Sequence, residues 1–79
     1  MSELKVVNEI VREDGVVFKT NDFVKHFKGN LYRIKGFAMD CETLELFVVY
    51  KDINKSILWT RKVDDFLSKK GDVWRFEHI

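Results

Sequence analysis

The chain of 79 residues contains no proline, and it has only one cysteine and four glycines. A lone cysteine cannot form a disulfide within the chain, which favours a reducing, cytoplasmic environment. No apolar stretch approaches the roughly 20 residues that span a membrane, and the first residues lack the basic and apolar pattern of a secretory leader. The sequence therefore predicts one cytoplasmic domain with no membrane partner, since so short a chain has room for a single core.

The absence of proline leaves the turns to glycine, asparagine and aspartate. The clearest turn is Lys28-Gly29-Asn30, because glycine and asparagine tolerate the positive φ that a tight turn needs and strand-forming residues flank it. Gly36 lies inside the second of these flanking strands, where a glycine predicts a bulge or a sharp bend.

Around this hairpin the sequence predicts five short antiparallel strands, at residues 23–27, 31–39, 44–52, 57–61 and 73–79. Residues 62–67 predict a single helical turn that places Phe66 in the core. Five short strands fit a small closed sheet better than a two-layer sandwich, because closure also removes the vulnerable edges. We therefore expect a mainly β domain over residues 23–79, a small five-stranded antiparallel SH3-like barrel or roll.

Residues 1–22 are predicted to form an extension that precedes this domain. Apolar residues recur at helical spacing over residues 2–13, with Gly15 as a stop, and we expect a helix there. The alternative is a hairpin around an Asp14-Gly15 turn, with strands at residues 9–13 and 16–19. The β-branched side chains of this segment weaken the helix prediction, but of the two alternatives we favour the helix.

The net charge is only +1, but the charges are unevenly distributed. The segment of residues 16–39 has a single acidic residue, Asp22, against five basic ones: Lys19, Lys25, Lys28, Arg33 and Lys35. Aromatic residues between cations are typical of proteins that hold single-stranded nucleic acid. The alternative, which we favour, is a solvated strand face with the aromatic rings in the core, because a small domain needs most of its rings inside.

Six patterns occur in order along the chain: HFKGN-x-Y-R-I, A-x-x-x-ET-x-E, VVY, LW-x-R, F and RF-x-x-I. In order and spacing they resemble the bacterial family known as domain of unknown function 1653, over residues 23–79. The resemblance implies an SH3-type barrel and brings no established activity. The chain departs from the family at Asp40-Cys41, where the family has His-Ser, and at Lys62, where it has proline. The residues that match the family pattern are His26, Phe27, Lys28, Gly29, Tyr32, Glu42, Thr43, Val49, Tyr50, Trp59, Arg61, Phe66 and Phe76.

The soft metal ligands of the chain are His26, Cys41 and His78, and no CxxC or HxxxH pair joins two of them. The sequence therefore predicts no metal site and no cofactor. A nucleophilic pair of Cys41 and His26 would need a sheltered pocket, which so small a domain does not readily build. We expect His26 to be an unperturbed surface histidine beside the glycine turn.

Trp59 and Arg61 are two residues apart on a predicted strand, so their side chains leave the same face. Arg61 has two ordinary structural uses, stacking on Trp59 or pairing with Glu42. The functional alternative is a recognition pair, with the ring as a platform and the guanidinium as a fork for an anion. The Thr43 hydroxyl is expected to bond to nearby backbone in the turn.

These features do not define a ligand, and we expect a non-enzymatic binding module whose partner is an unknown protein, peptide or anionic ligand. Three alternatives stay open: a nucleic-acid-associated barrel that uses residues 16–39, a small acid-base enzyme that uses His26, Glu42 and Tyr32, and a structural or oligomerisation unit. In the last of these the N-terminal segment would form the contact, and the oligomeric state is open. The candidate binding residues are His26, Lys28, Tyr32, Glu42, Trp59 and Arg61, with Glu42 as the one that orients the others.

Overall fold

The structure, a computed structural model, describes residues 7–79 as a mainly β fold with almost no helix. No helix in this part of the chain is both long and apolar enough to cross a membrane. The elements in chain order are β1 (Glu9–Val11), β2 (Val17–Lys19), β3 (Phe23–His26), β4 (Leu31–Met39), β5 (Leu46–Asp52), β6 (Leu58–Lys62), α1 (Val63–Phe66), β7 (Lys69–Lys70), β8 (Val73–Trp74) and β9 (Phe76–His78).

Five of these strands form the main sheet in the order β6-β5-β4-β3-β9, and all neighbours are antiparallel. The strands β3 to β6 lie where the sequence predicts them, and α1 is the predicted helical turn. Within residues 7–79 no ladder joins β6 to β9. The closure expected of a barrel is therefore not shown.

The strand predicted over residues 73–79 is broken at Arg75 into β8 and β9. The Arg75 amide donates to the carbonyl of Ser68 at 2.9 Å, and the Arg75 carbonyl accepts from the amide of Phe27 at 3.0 Å. β8 pairs with β7 in a small ribbon, whereas β9 pairs with β3 in the main sheet. The break thus carries the end of the chain across to the Gly29 hairpin.

Both glycine predictions are confirmed. Gly29 has a φ of +105°, and its amide donates to the carbonyl of His26 at 2.7 Å, which closes the turn between β3 and β4. The register of β4 against β5 shifts between Ile34 and Gly36, so that Lys35 is an extra residue in the ladder. This is the arrangement of a β-bulge.

The helix expected over residues 2–13 is wrong for the described residues 7–13, and its first part lies outside them. β1 and β2 instead form the alternative hairpin, in which Ile10 is directly opposite Phe18. Both side chains are buried, while their neighbours along each strand are exposed. The helical spacing misled because it counts Val11 with Ile10 on the buried face, whereas Val11 is 56% exposed and the alternate position Arg12 is buried. Gly15 supplies a φ of +91° for the turn.

The core lies on one face of the main sheet, which we call the inner face and which carries Val24, Ile34 and Val48, all fully buried. Phe66 from α1 and Phe76 from β9 stack in this core, with ring centroids 4.1 Å apart. Phe66 thus takes the core position that the sequence predicts for it. The β1-β2 hairpin contributes to the same cluster, so residues 9–19 pack on the sheet. The division of the chain at residue 23 into an extension and a domain stays a prediction.

Arg12 is a buried cation that the sequence did not reveal, with only 4% of its side chain exposed. Its guanidinium makes two hydrogen bonds of 2.8 Å to the carboxylate of Asp14, one of 2.8 Å to Glu77 and one of 3.0 Å to the carbonyl of Phe76. The hydrogen bond from Arg12 lowers the pKa of Asp14 to about 2. These bonds tie the N-terminal hairpin to the last strand, because a buried charge needs such partners.

Candidate functional site

An open cleft of about 350 Å³, which we call the basic cleft, lies on the inner face beside the Gly29 turn. Its lining contains four cations and, within residues 7–79, no carboxylate. The lining residues are His26, Phe27, Lys28, Asn30, Tyr32, Tyr50, Arg61, Lys70 and Arg75. Four of the six candidate residues from the sequence therefore come together here: His26, Lys28, Tyr32 and Arg61.

Strand alternation and register bring these side chains to one place. Val24 is buried on the inner face, so His26, two residues further on, lies on the same face. Tyr32 is directly opposite Val24, and Tyr50 is the diagonal neighbour of both Tyr32 and Arg61. The rings of Tyr32 and Tyr50 meet edge to face, with centroids 5.1 Å apart.

Arg61 is held by two polar partners. Its Nε donates to the Tyr50 hydroxyl at 3.2 Å, and its Nη1 lies 2.6 Å from Oδ2 of Asp65, one turn further along the chain. Burial opposes the charged form of Arg61, but the bonds to Tyr50 and Asp65 outweigh it and raise its pKa. The guanidinium carbon also lies 5.7 Å from the ring centroid of Phe76. The side chain is therefore fixed and charged.

Arg75 is held in a similar way from the other side of the cleft. Its Nε donates to the Ser68 hydroxyl at 3.2 Å, and its Nη2 lies 3.7 Å from Oδ1 of Asp65. Asp65 therefore lies between the guanidinium groups of Arg61 and Arg75, with Oδ2 towards Arg61 and Oδ1 towards Arg75. It has the orienting position that the sequence analysis gave to Glu42.

His26 is half-buried, and the unperturbed surface histidine expected from the sequence is wrong. Its Nδ1 accepts a hydrogen bond of 3.1 Å from the amide of Lys28, which assigns the proton of the neutral ring to Nε2. Burial lowers the pKa of His26, and the charges of Arg61, Arg75 and Lys28 lower it further. The imidazole is therefore neutral at pH 7, since its ordinary pKa is already about 6.5.

Burial raises the pKa of Tyr32, the remaining candidate on the cleft wall, so its hydroxyl stays protonated. Lys28 and Lys70 at the rim are exposed, and neither forms an ion pair within the described part of the chain. Two carboxylates lie close to this lining: Asp65, which its two arginines share, and the buried Asp52, which is directly opposite Tyr32. The cleft thus has a surplus of positive charge.

Two candidate residues do not line the basic cleft. Glu42 is exposed in the turn between β4 and β5, where its amide donates to Oδ1 of Asp40 at 2.9 Å. Trp59 is on the edge strand β6 and is 45% exposed, and the described contacts of Arg61 are with Tyr50, Asp65 and the ring of Phe76. Cys41 is also exposed in the turn, away from His26. The Thr43 hydroxyl accepts from the amide of Glu45, as predicted.

Sequence analysis missed Tyr50, Arg75 and Lys70 on the cleft wall and Asp65 behind it. Tyr50 had a signal, because it ends the apolar run of β5 with a hydroxyl that must find a partner when buried. No signal in the sequence points to Arg75 or Lys70. Their positions at the cleft depend on the pairing of the last strand, β9, with β3. Asp65 lies four residues after Arg61, at a spacing that favours an ion pair in a helical turn.

A larger cleft of about 480 Å³ lies beside Trp74, between the first hairpin and α1. Its charged lining residues are Glu13, Asp64 and Lys69, so its charges are mixed and do not favour a ligand of one sign. Residues 7–79 contain no group of three or more histidine, cysteine, aspartate or glutamate side chains arranged to hold a metal. The basic cleft is therefore the stronger candidate.

Comparison with known proteins connects the chain to a family. Searches of the curated proteins and of the solved structures found no match. A family model described as "Protein of unknown function (DUF1653)" matches residues 22–78, which is most of the chain and includes every residue of the basic cleft. On that match, and in agreement with the resemblance in its motifs, the chain belongs to the DUF1653 family.

Proposed function

We propose that this chain is a non-enzymatic binding module that holds an anionic ligand in the basic cleft. The observation that carries the proposal is the convergence of Lys28, Arg61, Lys70 and Arg75 around one opening whose described lining has no carboxylate. Cations this close repel one another, and a bound anion would remove that repulsion.

The two arginines are already arranged for such a ligand. Asp65 and Tyr50 fix Arg61, while Asp65 and Ser68 fix Arg75. Binding would therefore cost little side-chain entropy, because the rotamers are restricted before the ligand arrives. Guanidinium groups suit carboxylates and phosphates, which accept two parallel hydrogen bonds.

The shape of the cleft favours a small anionic group and weak binding. Its volume of about 350 Å³ is close to the lower limit for ligand pockets, and its mouth is open to solvent. The half-buried ring of Tyr32 and the neighbouring His26 offer flat surfaces beside the cations. A phosphate or carboxylate attached to a planar group fits this combination.

Binding is better supported than acid-base catalysis. The Nδ1 atom of His26 is occupied by the amide of Lys28, and within the described lining no carboxylate is present to orient its Nε2. Glu42, which the enzyme hypothesis needs beside His26 and Tyr32, lies in a separate turn. General acid-base work requires such groups within hydrogen-bond reach of one another or of a shared substrate.

The test is an amide chemical-shift titration with orthophosphate, a mononucleotide and an acidic peptide, each raised to millimolar concentration. We expect shifts at residues 26–32 and at Arg61, Lys70 and Arg75. The double variant Lys28→Gln, Lys70→Gln should weaken binding by about tenfold, since each lost charge contact costs roughly 0.5–1 kcal/mol at an exposed site. Both side chains are exposed, so the variant should fold normally.

The matched control is Lys35→Gln, Lys51→Gln, which removes two cations from the opposite face of the sheet and should leave the affinities measured from the cleft signals unchanged. If none of the three ligands shifts the cleft signals at millimolar concentration, the proposal fails. It also fails if the control weakens binding as much as the cleft variant does, because the effect would then come from net charge alone.

We also infer that the sheet is of the SH3-like type and that the protein works in the cytoplasm. Five short antiparallel strands with a bulge in the longest one support the first inference. The single Cys41, which can form no disulfide within the chain, supports the second. Slow amide exchange along the outer edges of both β6 and β9 would indicate a closed barrel, and fast exchange there would count against it.

A further inference from the structure

The main sheet has a second group of cations on the side opposite the core. Arg33, Lys35 and Lys51 line a shallow depression of about 240 Å³ together with Phe23 and Ile53, and we call this surface the basic face. The placement follows from strand alternation, since Arg33 and Lys35 flank the buried Ile34. The basic face and the basic cleft therefore lie on opposite sides of the same strands.

Three side chains of the basic face form a row across three strands. Phe23 on β3 is directly opposite Arg33 on β4, and Arg33 is directly opposite Lys51 on β5. The guanidinium carbon of Arg33 lies 5.6 Å from the ring centroid of Phe23. An aromatic ring and two cations thus stand side by side on an open surface.

The charges of this row are not compensated within the described chain. Like charges directly opposite each other on neighbouring strands destabilise a sheet. Neither Arg33, Lys35 nor Lys51 forms an ion pair with a carboxylate among residues 7–79. Arg33 has one neutral side-chain partner, Asn21, at 3.0 Å, and its Nε is buried without any hydrogen-bond partner in the same part of the chain. An anionic partner would relieve this repulsion.

Phe23 distinguishes between kinds of anionic partner. Its ring is 49% exposed beside the cations, although a small domain gains most by burying its aromatic rings. Ile53 extends the same apolar surface and is 41% exposed. An acidic peptide would use the three charges alone. A single-stranded nucleic acid would use both features, because its phosphates meet the cations while a base stacks on the ring.

We propose that the basic face binds single-stranded nucleic acid without strong sequence preference, with Phe23 as a stacking surface and Arg33, Lys35 and Lys51 as phosphate contacts. A short, flat, open surface suits an unpaired strand, whose bases are free to turn towards the sheet. This site does not depend on the basic cleft, since the two surfaces share no lining residue. Either proposal can fail while the other holds.

The test is fluorescence anisotropy with a labelled oligouridylate and a labelled oligothymidylate of about 12 nucleotides, a length within the site sizes of small barrels. Titrations between about 50 and 200 mM salt should give a slope of log affinity against log salt of about −2, since each phosphate contact contributes roughly −0.7 for single strands. The variant Lys35→Gln, Lys51→Gln should bind at least tenfold more weakly and reduce that slope to about −0.7.

Phe23→Leu separates stacking from charge. It should weaken binding by about fivefold or more with no change in the salt slope, because a leucine keeps apolar contact and loses the ring. The matched control Lys28→Gln, Lys70→Gln removes two cations from the basic cleft and should leave the oligonucleotide-induced amide shifts of Phe23 and Arg33 unchanged. Thermal melts of each variant establish that it is folded.

Three results would overturn the proposal. One is the absence of oligonucleotide binding at about 50 mM salt, where electrostatic affinity is strong. Another is an equal loss of the Phe23 and Arg33 amide shifts in the basic-face and basic-cleft variants, which would indicate net charge and no site. The third is an acidic peptide that shifts the amides of Phe23 and Arg33 while oligonucleotides do not, which would assign the face to a protein partner.

Discussion

The guanidinium carbon of Arg12 lies 4.0 Å from the centroid of the Trp74 ring, although the two residues are near opposite ends of the chain. Arg12 is in the first hairpin, and Trp74 is in the small ribbon that precedes the last strand. Together with the ion pairs of Arg12 with Asp14 and Glu77, this contact joins the first hairpin to the C-terminal strands through a buried cation. The hairpin that lies largely outside the family match is thus attached to the matched region by charge as well as by apolar packing.

Replacing Arg12 with alanine should lower the free energy of unfolding by about 3 kcal/mol, the cost typical of breaking a buried ion pair. The loss includes the hydrogen bond to the buried carbonyl of Phe76 and the contact with Trp74. Urea unfolding measures it, with Lys55→Ala in the exposed turn after β5 as the control. A loss no larger than that of the control would mean that the Arg12 bonds do not hold in solution.

The turn at Gly29 offers a test of backbone conformation alone. Gly29→Ala should lower the free energy of unfolding by about 1 kcal/mol or more, because φ is +105°. An added Cβ meets no atom within 4 Å, so the substitution tests φ without a steric clash. D-alanine, introduced by chemical synthesis, prefers positive φ and should be neutral or slightly stabilising. Equal destabilisation by both residues would show that a steric contact, and not φ, controls this position.

The depth of Trp59 can be compared directly with that of Phe66. Trp59 is 45% exposed on the edge strand, so Trp59→Ala should cost less than about 1.5 kcal/mol. Phe66→Ala removes a fully buried ring and should cost about 3–5 kcal/mol. Paired urea melts measure both, and a larger loss at Trp59 than at Phe66 would contradict the described packing.

His26 makes stability depend on pH. Its pKa is lowered in the folded chain by burial and by neighbouring cations, so the unfolded chain binds more protons below about pH 6.5. The melting temperature should therefore fall as the pH drops from about 7 to 5, and this fall should be smaller in His26→Gln. An imidazole titration followed by NMR gives the pKa directly.

The same titration reports on the basic cleft. An anion bound beside His26 favours the imidazolium form, so saturating orthophosphate should raise the pKa of His26. By linkage, the affinity for sulfate, an anion whose charge is constant over this pH range, should increase as the pH falls through the raised pKa of His26. An unchanged pKa in the presence of phosphate would place any bound anion elsewhere.

Local sequence patterns were sufficient to predict much of the sheet. The Gly29 turn, the Gly36 bulge and the burial of Phe66 depend on residues close together in sequence, and each was predicted. The sequence favours a helix over the first hairpin, because Ile10 and Val11 together fit the apolar face of a helix, whereas in the hairpin only Ile10 of the two is buried. The hairpin packs on the core through Phe18, whose ring centroid lies 5.7 Å from that of Phe66, a residue far away in sequence.

The candidate site could likewise be predicted only in part from local sequence patterns. Alternation along β3 and β4 was sufficient to group His26 with Tyr32, and β6 supplied Arg61. The lateral order of the strands was not predictable, and it determines that Arg75 joins the basic cleft. It also makes β6 an edge strand and so leaves Trp59 exposed. Alternation also places the aromatic and basic residues of β3 and β4 on two surfaces. Phe23 and Arg33 lie on the basic face, and Tyr32 lies on the inner face.

The bulge in β4 means that the core does not require Lys35. Ile34 is opposite Tyr50, and the ladder resumes with Gly36 opposite Val49, so residue 35 is supernumerary in the pairing. Deleting it would convert β4 into a regular strand and leave Phe37 facing inwards, whereas deleting Arg33 would reverse the sides of the residues that precede it. A position that can be lost without changing the hydrophobic register is free to vary with the requirements of the exposed surface.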